Sequence, residues 1–549
     1  MKTQAKKARH RVECYSLSDI VGTRRGGFFD GCACEIHDLI PQGGSFRLRN
    51  GTVETFRLSS PIGFSGSVNN NGNITGYVSS ANLLYELPGT VEIGSLSEAR
   101  YISDGDIDQG STFFFTSGGC TYMMTSGRIL KRSGDEFEDF DSYDALIDVT
   151  ARSGAVSEDE CDRATNYFTG RMAARLVMDN NNSSITLGRA PISVDAITVN
   201  GTEVDDFTQN DNVVSIGLDL YEGDVICVYA RYGESSPSSL GLIGASGELG
   251  GRTYLYNQRA MYKVSLHGGA LFCSAPVLVL PEGGLKRAFF CSGTLVLAIG
   301  EGLCVFDEED GTLRIIEGLG ARNAESICPC GGFAFVASDG YVTKLTISQS
   351  GEREALQAVT VKDAYDHSMR GRVLGMAFSR ADRCLWTLNR SEGRNRLFVL
   401  DLESGIRSEV TCFDDPTAIV ECTDCVAIIC SRAIYYSSPE YTMDEREDGS
   451  YPISGAIVMN PSDLGDPFTR KRIKSIAIKA SSQVTDISVV AVTDRGRVFS
   501  ESRHKSYGET TLELFEPGLG LFRHISMTVG IKGYGHATLC GIELDVRSK

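Results

Sequence analysis

A short turn, an apolar strand, a second turn and a second strand recur seven times along this chain, and that repeat constrains the fold more than any other feature. The copies are GNITGYVSSANLLYEL from Gly72, GSTFFFTSGGCTYMM from Gly110, GRTYLYNQRAMYKV from Gly251 and GTLVLAIGEGLCVF from Gly293. GFAFVASDGYVTKL from Gly332, RCLWTLNRSEGRNRLFVL from Arg383 and DCVAIICSRAIYYS from Asp424 complete the set. Successive starts are 38, 42, 39, 51 and 41 residues apart, leaving aside one long step. A period of roughly 40 to 45 residues is that of a β-propeller with four strands per blade. One unit reads as strands from Lys286 to Cys291, Thr294 to Ile299, Leu303 to Phe306 and Thr312 to Ile316. A twisted four-stranded sheet cannot cover both of its apolar faces alone, and radial stacking covers them. The expected fold is all-β: a propeller of about seven blades, within a range of six to eight.

The long step, from Gly110 to Gly251, is 141 residues and leaves about 100 beyond one period. It holds alternating segments at Val194 to Val199, Val213 to Ile216 and Asp224 to Ala230, with an Asn200-Gly201 turn and little helical periodicity. A small β-sandwich inserted in the propeller is expected there, its strands at about residues 165 to 232. After about residue 456 the blade pattern gives way to longer alternating strands, which predict a C-terminal antiparallel β-sandwich-like domain. The expected division is an N-terminal arm and opening segment at 1–55 and a first propeller part at 56–160. An insert at 161–235, a second propeller part at 236–455 and a C-terminal domain at 456–549 follow.

Sixty glycines against 14 prolines suit a chain with many tight reversals. The formal charge of -18 sets the bulk surface against nucleic acid and anionic membranes. Lys2, Lys6, Lys7, Arg9 and Arg11 form a local basic exception, with no apolar segment after them to make a secretory signal. No apolar stretch approaches the ~20 residues that span a bilayer, so no membrane insertion is expected. The 17 scattered cysteines fit reduced, buried thiols from a cytosolic assembly compartment better than a disulfide framework.

Several segments resemble the propeller-containing tail nozzle, or tail tubular protein B, and related virion stabilisation proteins of tailed phages. GTRRGGFFDGCACEIHDLIPQGGSFRLRNGT is similar to their opening segment, ending here in Arg49-Asn50-Gly51. AITVNGTEV and GDVICVYARY are similar to the small sandwich inside one of their blades. FTRKRIKSIAIKA and GHATLCGIELDV resemble the strands of their terminal domain. The resemblance implies a structural virion protein and not an enzyme, located in the tail. It implies a closed ring, usually a homohexamer, next to a portal-proximal adaptor ring and other tail proteins. Genomic DNA would then pass through its lumen only transiently. A receptor- or glycan-binding propeller at the tail tip is the alternative reading, and a propeller glycoside hydrolase a second.

No catalytic, cofactor or metal constellation is expected. The seven histidines show no metal-motif spacing, and His536 in Gly535-His536-Ala537 reads as a turn into a strand. Cys422-Thr423-Asp424-Cys425 has C-x-x-C spacing without a second pair at zinc-ribbon distance. The acidic run around Asp135 to Asp144 lacks the ligand register of an EF-hand and reads as a solvated loop. The turn from Asp307 to Gly311 loosely resembles the Asp-box of sialidases without its Ser and aromatic partners. The candidate interface is basic: Arg470, Lys471, Arg472 and Lys474, with Lys6, Lys7 and Arg9 near the N-terminus. On an acidic protein such a cluster can pair with an acidic neighbouring subunit or face DNA; the alternative is a solvated edge strand.

Overall fold

The computed structural model describes residues 9–12 and 33–548, apart from short interruptions of which 88–99, 361–371 and 506–510 are the longest. Seven four-stranded antiparallel units stand in a ring. Blade 1 spans Ile62–Asn70 to Arg100–Asp104, and blade 2 Phe113–Ser117 to Glu136–Asp139. Blade 3 spans Gly244–Leu249 to Ala270–Val279, blade 4 Leu285–Cys291 to Thr312–Ile316, and blade 5 Ile327–Pro329 to Arg353–Thr360. Blade 6 spans Arg372–Ser379 to Arg407–Val410. Blade 7 takes Pro416–Glu421, Val426–Cys430 and Ala433–Ser437 from late in the chain and its fourth strand, Thr52–Arg57, from the beginning. The first strand of every blade touches the first strand of the next, and that of blade 7 touches blade 1, so the ring is closed.

The middle strands show why the repeat is apolar without alternation. In blade 4, Thr294–Ile299 is buried on both sides, because each face of a blade meets a neighbour. Burying each Leu or Val of such a strand contributes about 1.5–3 kcal/mol. Tyr77 of blade 1 stacks on Phe114 of blade 2 with ring centroids 4.3 Å apart, and Arg132 ties the same two blades by donating to the Tyr77 hydroxyl and to Glu86. Six of the seven sequence copies fall on the second and third strands of their blades. The copy at Gly110 instead covers the first and second strands of blade 2. Successive hairpins of a blade share one turn-and-strand pattern, which explains the short first step.

The insert lies between blades 2 and 3 as two sheets of its own. One contains Ile147–Asp148, Arg171–Val177, Ser193–Val199 and Val225–Arg231; the other contains Ser184–Thr186, Phe207–Asn210 and Val213–Ile216. The sheets begin at Ile147, ahead of the expected boundary at 161, because the first insert strands are only two residues long and show no alternation. A helix at Glu158–Ala164, capped by the Ser157 side chain accepting from the Glu160 amide, was not expected; two turns are too few to show a period. Asn166 fastens the insert to blade 3. Its amide donates to the carbonyls of Tyr143 and Leu271 at 2.8 Å each, and its oxygen accepts from the amides of Phe168 and Cys273.

The C-terminal domain is continuous with the propeller. From blade 6 the sheet runs through the parallel strand Ala33–His37 to Ile453–Ser462, Ile525–Gly533, Val484–Thr493 and Val498–His504. A second sheet packs Leu39–Gln42, Ser45–Leu48, Thr538–Ser548, Lys471–Ala480 and Thr511–Phe515 over it. Phe46, Ile476, Phe515, Phe522, Val489 and Val529 lie in the core between them. Residues 33–57 are therefore not a separate opening segment, as the 1–55 division anticipates. They supply strands to the C-terminal sandwich and then close blade 7.

Where those three parts meet, Arg49 is buried. Its Nε donates to Asp38 at 2.5 Å, and Nη1 and Nη2 form a two-pronged pair with Asp444 at 2.8 Å each. Burial alone lowers a guanidinium pKa, and the two carboxylates more than reverse it, so Arg49 stays charged. Asp38 also accepts from the Thr411 amide, and Asp444 from the amide and hydroxyl of Thr52. A Cβ on the adjacent Gly51 would stand 1.9 Å from the Met443 carbonyl oxygen. Arg49-Asn50-Gly51 thus joins the end of blade 6, the ribbon after blade 7 and the closing strand.

Candidate functional site

The basic cluster divides by strand alternation. Lys471–Ala480 is an interior strand of the second C-terminal sheet, with successive side chains on opposite faces. Arg472 and Lys474 point to solvent with Arg470 just before them. Lys471 is buried at 4% exposure and donates from Nζ to the Asp463 carbonyl, while its backbone bridges to Phe522. Lys471 is accordingly not part of a contact surface, contrary to its place in the expected interface. Arg9 lies in Arg9–Val12, which pairs with the last strand so that Arg9 stands opposite Arg547, and Arg547 in turn opposite Arg472. Arg472 and Arg547, paired across two strands, repel each other unless an anion faces them. Lys6 and Lys7 lie outside the described residues.

A second site joins Glu308, from the Asp307 to Gly311 turn, to residues that the sequence patterns did not single out. Blades 3 and 4 enclose a cleft of about 590 Å³ lined by Arg252, Tyr254, Lys263, Phe290, Glu308 and Arg314 among others. Glu308 sits in the hairpin turn before Thr312–Ile316 and reaches across to blade 3. It accepts from Lys263 Nζ at 2.6 Å and the Tyr254 hydroxyl at 2.5 Å, with Arg252 at 3.4 Å. Burial pushes its pKa up, but the bonds from Lys263 and Tyr254 outweigh that and hold it below the usual carboxylate range. A carboxylate held ionised in this way is poorly placed to donate the proton that a glycosidase acid supplies. Only the spacing of the Asp307 to Gly311 turn hinted at this cluster; its blade 3 partners lie more than 40 residues away in sequence.

The remaining sequence candidates are structural in setting. The described cysteines are free thiols, most of them buried. Cys422 and Cys425 face each other across a tight turn, the Cys422 amide donating to the Cys425 carbonyl at 3.0 Å. A hydrogen bond with Cys422 and burial both raise the Cys425 thiol pKa, which suppresses thiolate reactivity. His536 sits at φ 54° before the last strand, its pKa lowered by burial and by Arg47. Glu421 ends the first strand of blade 7, where burial pushes its pKa up to about 7 although Arg380 stands 3.7 Å away. Among the described residues no three His, Cys, Asp or Glu side chains converge as a metal site, and no helix is long and apolar enough to cross a membrane.

No family model matches the chain, and no curated protein does. Solved structures similar to it include the extracellular domain of the putative one-component system BT4673 from B. thetaiotaomicron, at 9% identity and a TM-score of 0.39 over 90% of this chain and 62% of that one. Virginiamycin B lyase from Staphylococcus aureus aligns at 8% identity and a TM-score of 0.37, over 70% of this chain and 97% of that one. The Neurospora crassa Pan2 WD40 domain aligns at 8% identity and a TM-score of 0.35, over 73% of this chain and 97% of that one.

Proposed function

We propose that this chain is a non-catalytic structural subunit of a tailed-phage tail, a nozzle or connector that assembles into a closed ring around the path of the ejected DNA. The reading rests on the order of parts in the sequence resemblance. The observation that carries it furthest is mechanical: the propeller and C-terminal sandwich are joined in one sheet through the His37–Glu409 pairing, and the buried Arg49 pairs lock the N-terminal strands across their junction. A subunit of a pressurised conduit needs its domains fixed against each other, and a shared sheet fixes them more firmly than a linker. The test is negative-stain microscopy and mass measurement of the purified chain, followed by binding to an adaptor ring. Closed rings that bind the adaptor are expected; a monomer up to tens of micromolar without affinity for any tail component would overturn the reading.

The cleft between blades 3 and 4 favours a second reading, a receptor- or glycan-binding propeller at the tail tip. Tyr254 and Phe290 back the cleft as buried rings, and Arg252, Lys263 and Glu308 offer polar groups within one concave surface. Glycan-array binding that disappears in Lys263→Ala, with no ring formed, would replace the first reading by this one.

A further inference from the structure

The two sandwiches carry opposite charge. Residues 147–231 hold 14 acidic and six basic side chains, a net of -8, whereas residues 453–549 hold ten acidic and 13 basic, a net of +3. At the end of the insert farthest from the propeller, three loops converge. The Met178 amide donates to the Asp224 carbonyl, the Gly223 amide to the Met178 carbonyl, and the Asn200 amide to the Val225 carbonyl. This tip exposes Val177, Leu218 and Tyr221, at 52%, 49% and 60%, among the carboxylates of Glu203, Asp219 and Glu222.

The outer face of the second C-terminal sheet has the converse character. Arg472, Lys474, Lys479 and Arg547 are exposed there and have no ion-pair partner among the described residues. Glu543 and Asp545 are interspersed without cancelling them. Beside them Leu512 and Leu514, opposite Lys479 and Ala477 on the edge strand Thr511–Phe515, are more than half exposed. Two exposed leucines on a strand whose outer edge has no partner among the described residues invite association unless something covers them.

The positions match as well as the chemistry. The insert leaves the ring between blades 2 and 3, and the C-terminal sandwich grows from blade 6, three and a half blades away in a ring of seven. The acidic, apolar tip and the basic, apolar face therefore belong to domains rooted on opposite sides of the disc. Complementary patches on opposite sides make a head-to-tail contact, which closes into a ring when its rotation does. We infer that the tip of the inserted sandwich of one copy docks on the outer face of the C-terminal sheet of the next, with Asp219 and Glu222 facing Arg472 and Lys474. The inference rests on the ring reading above and names its interface.

Charge swapping tests it on the full chain, by mass photometry in about 0.15 M salt, where surface pairs still act over about 8 Å. All four side chains are exposed, and circular dichroism checks that each variant keeps its fold. Arg472→Glu with Lys474→Glu is expected to weaken assembly at least tenfold, and so is Asp219→Lys with Glu222→Lys. Mixing the two variants is expected to restore rings, because every junction in an alternating ring is again of opposite sign. The chain carrying all four changes is expected to assemble alone. Rings unaffected by either double variant, or a mixture that stays dissociated, would overturn this interface and leave the ring reading standing. A parent chain that never assembles would overturn both.

Discussion

The two β-sandwiches are attached to the propeller in opposite ways. The insert shares no sheet with any blade; it is held by two chain crossings, the Asn166 bonds, the Tyr167 amide donating to the Cys273 carbonyl, Phe168 buried in the core of blades 2 and 3, and the packing of its helix against the last strand of blade 3. The C-terminal sandwich prolongs blade 6, takes three strands from residues 33–48, and is pinned by Arg49. An insert that brings all its own strands can open without disturbing the ring. A domain that borrows strands from the ring's closing segment cannot. The first is built as a module, and the second as part of the frame.

The comparison fails most visibly if Arg49 is not shared by the frame. Arg49→Met leaves Asp38 and Asp444 buried without their cation, a loss of about 3–5 kcal/mol, and chemical denaturation should show propeller and C-terminal sandwich melting together at lower denaturant. Separate transitions would show that the sandwich is a module after all. Gly51→Ala should act in the same direction through its clash with the Met443 carbonyl. Glu421 tests the ring without touching either sandwich. Its folded pKa lies above its unfolded value, so the protonated form favours folding; that stability is complete below about pH 4.5 and is lost as pH rises through about 7. Glu421→Gln should match the parent near pH 4 and exceed it above pH 7, by up to about 3 kcal/mol, in thermal melts across that range.

Asn166→Ala should cost about 1–3 kcal/mol, but locally. Hydrogen exchange should quicken in Arg171–Val177 and Val225–Arg231 while blades 4 to 7 keep their protection, and global loss would merge the insert into the frame. The smallest effect belongs to the exposed apolar residues. Leu218→Ser or Leu512→Ser should shift stability by no more than about 0.5 kcal/mol, because neither side chain packs in a core.

The sequence made the blades legible because a strand covered on both faces is written as an unbroken apolar run, as in TLVLAI from Thr294. The C-terminal strands were legible for the converse reason: Val484–Thr493 is buried mainly on alternate residues, against one other sheet. What stayed hidden was pairing between distant segments. Thr52–Arg57 reads TVETFR, with a charged residue at each of two positions, and nothing local marks it as the last strand of a blade whose other strands begin at Pro416. Ala33–His37 is equally mute about lying between blade 6 and the C-terminal sheet. In the basic cluster the residue types were visible but not their phase on the strand, so Lys471 was grouped with neighbours that point the other way. The Glu308 cluster is split between two blades, and no spacing rule joins Tyr254 to Glu308.

The closing strand also sets an order of events. Thr52 pairs with Ser437 and Arg49 with Asp444, so the first part of the ring to leave a ribosome is the last to find its partner. At about 5–20 residues per second the intervening chain takes on the order of 20–80 s to make. Throughout that interval the six other blades can form while their ring stands open, with one blade edge bare. Contacts so far apart in sequence are also the slowest to form once the chain is complete. The nascent protein is therefore most exposed to misassembly just before its ring closes, and chaperones that shield bare strand edges should matter most in that window.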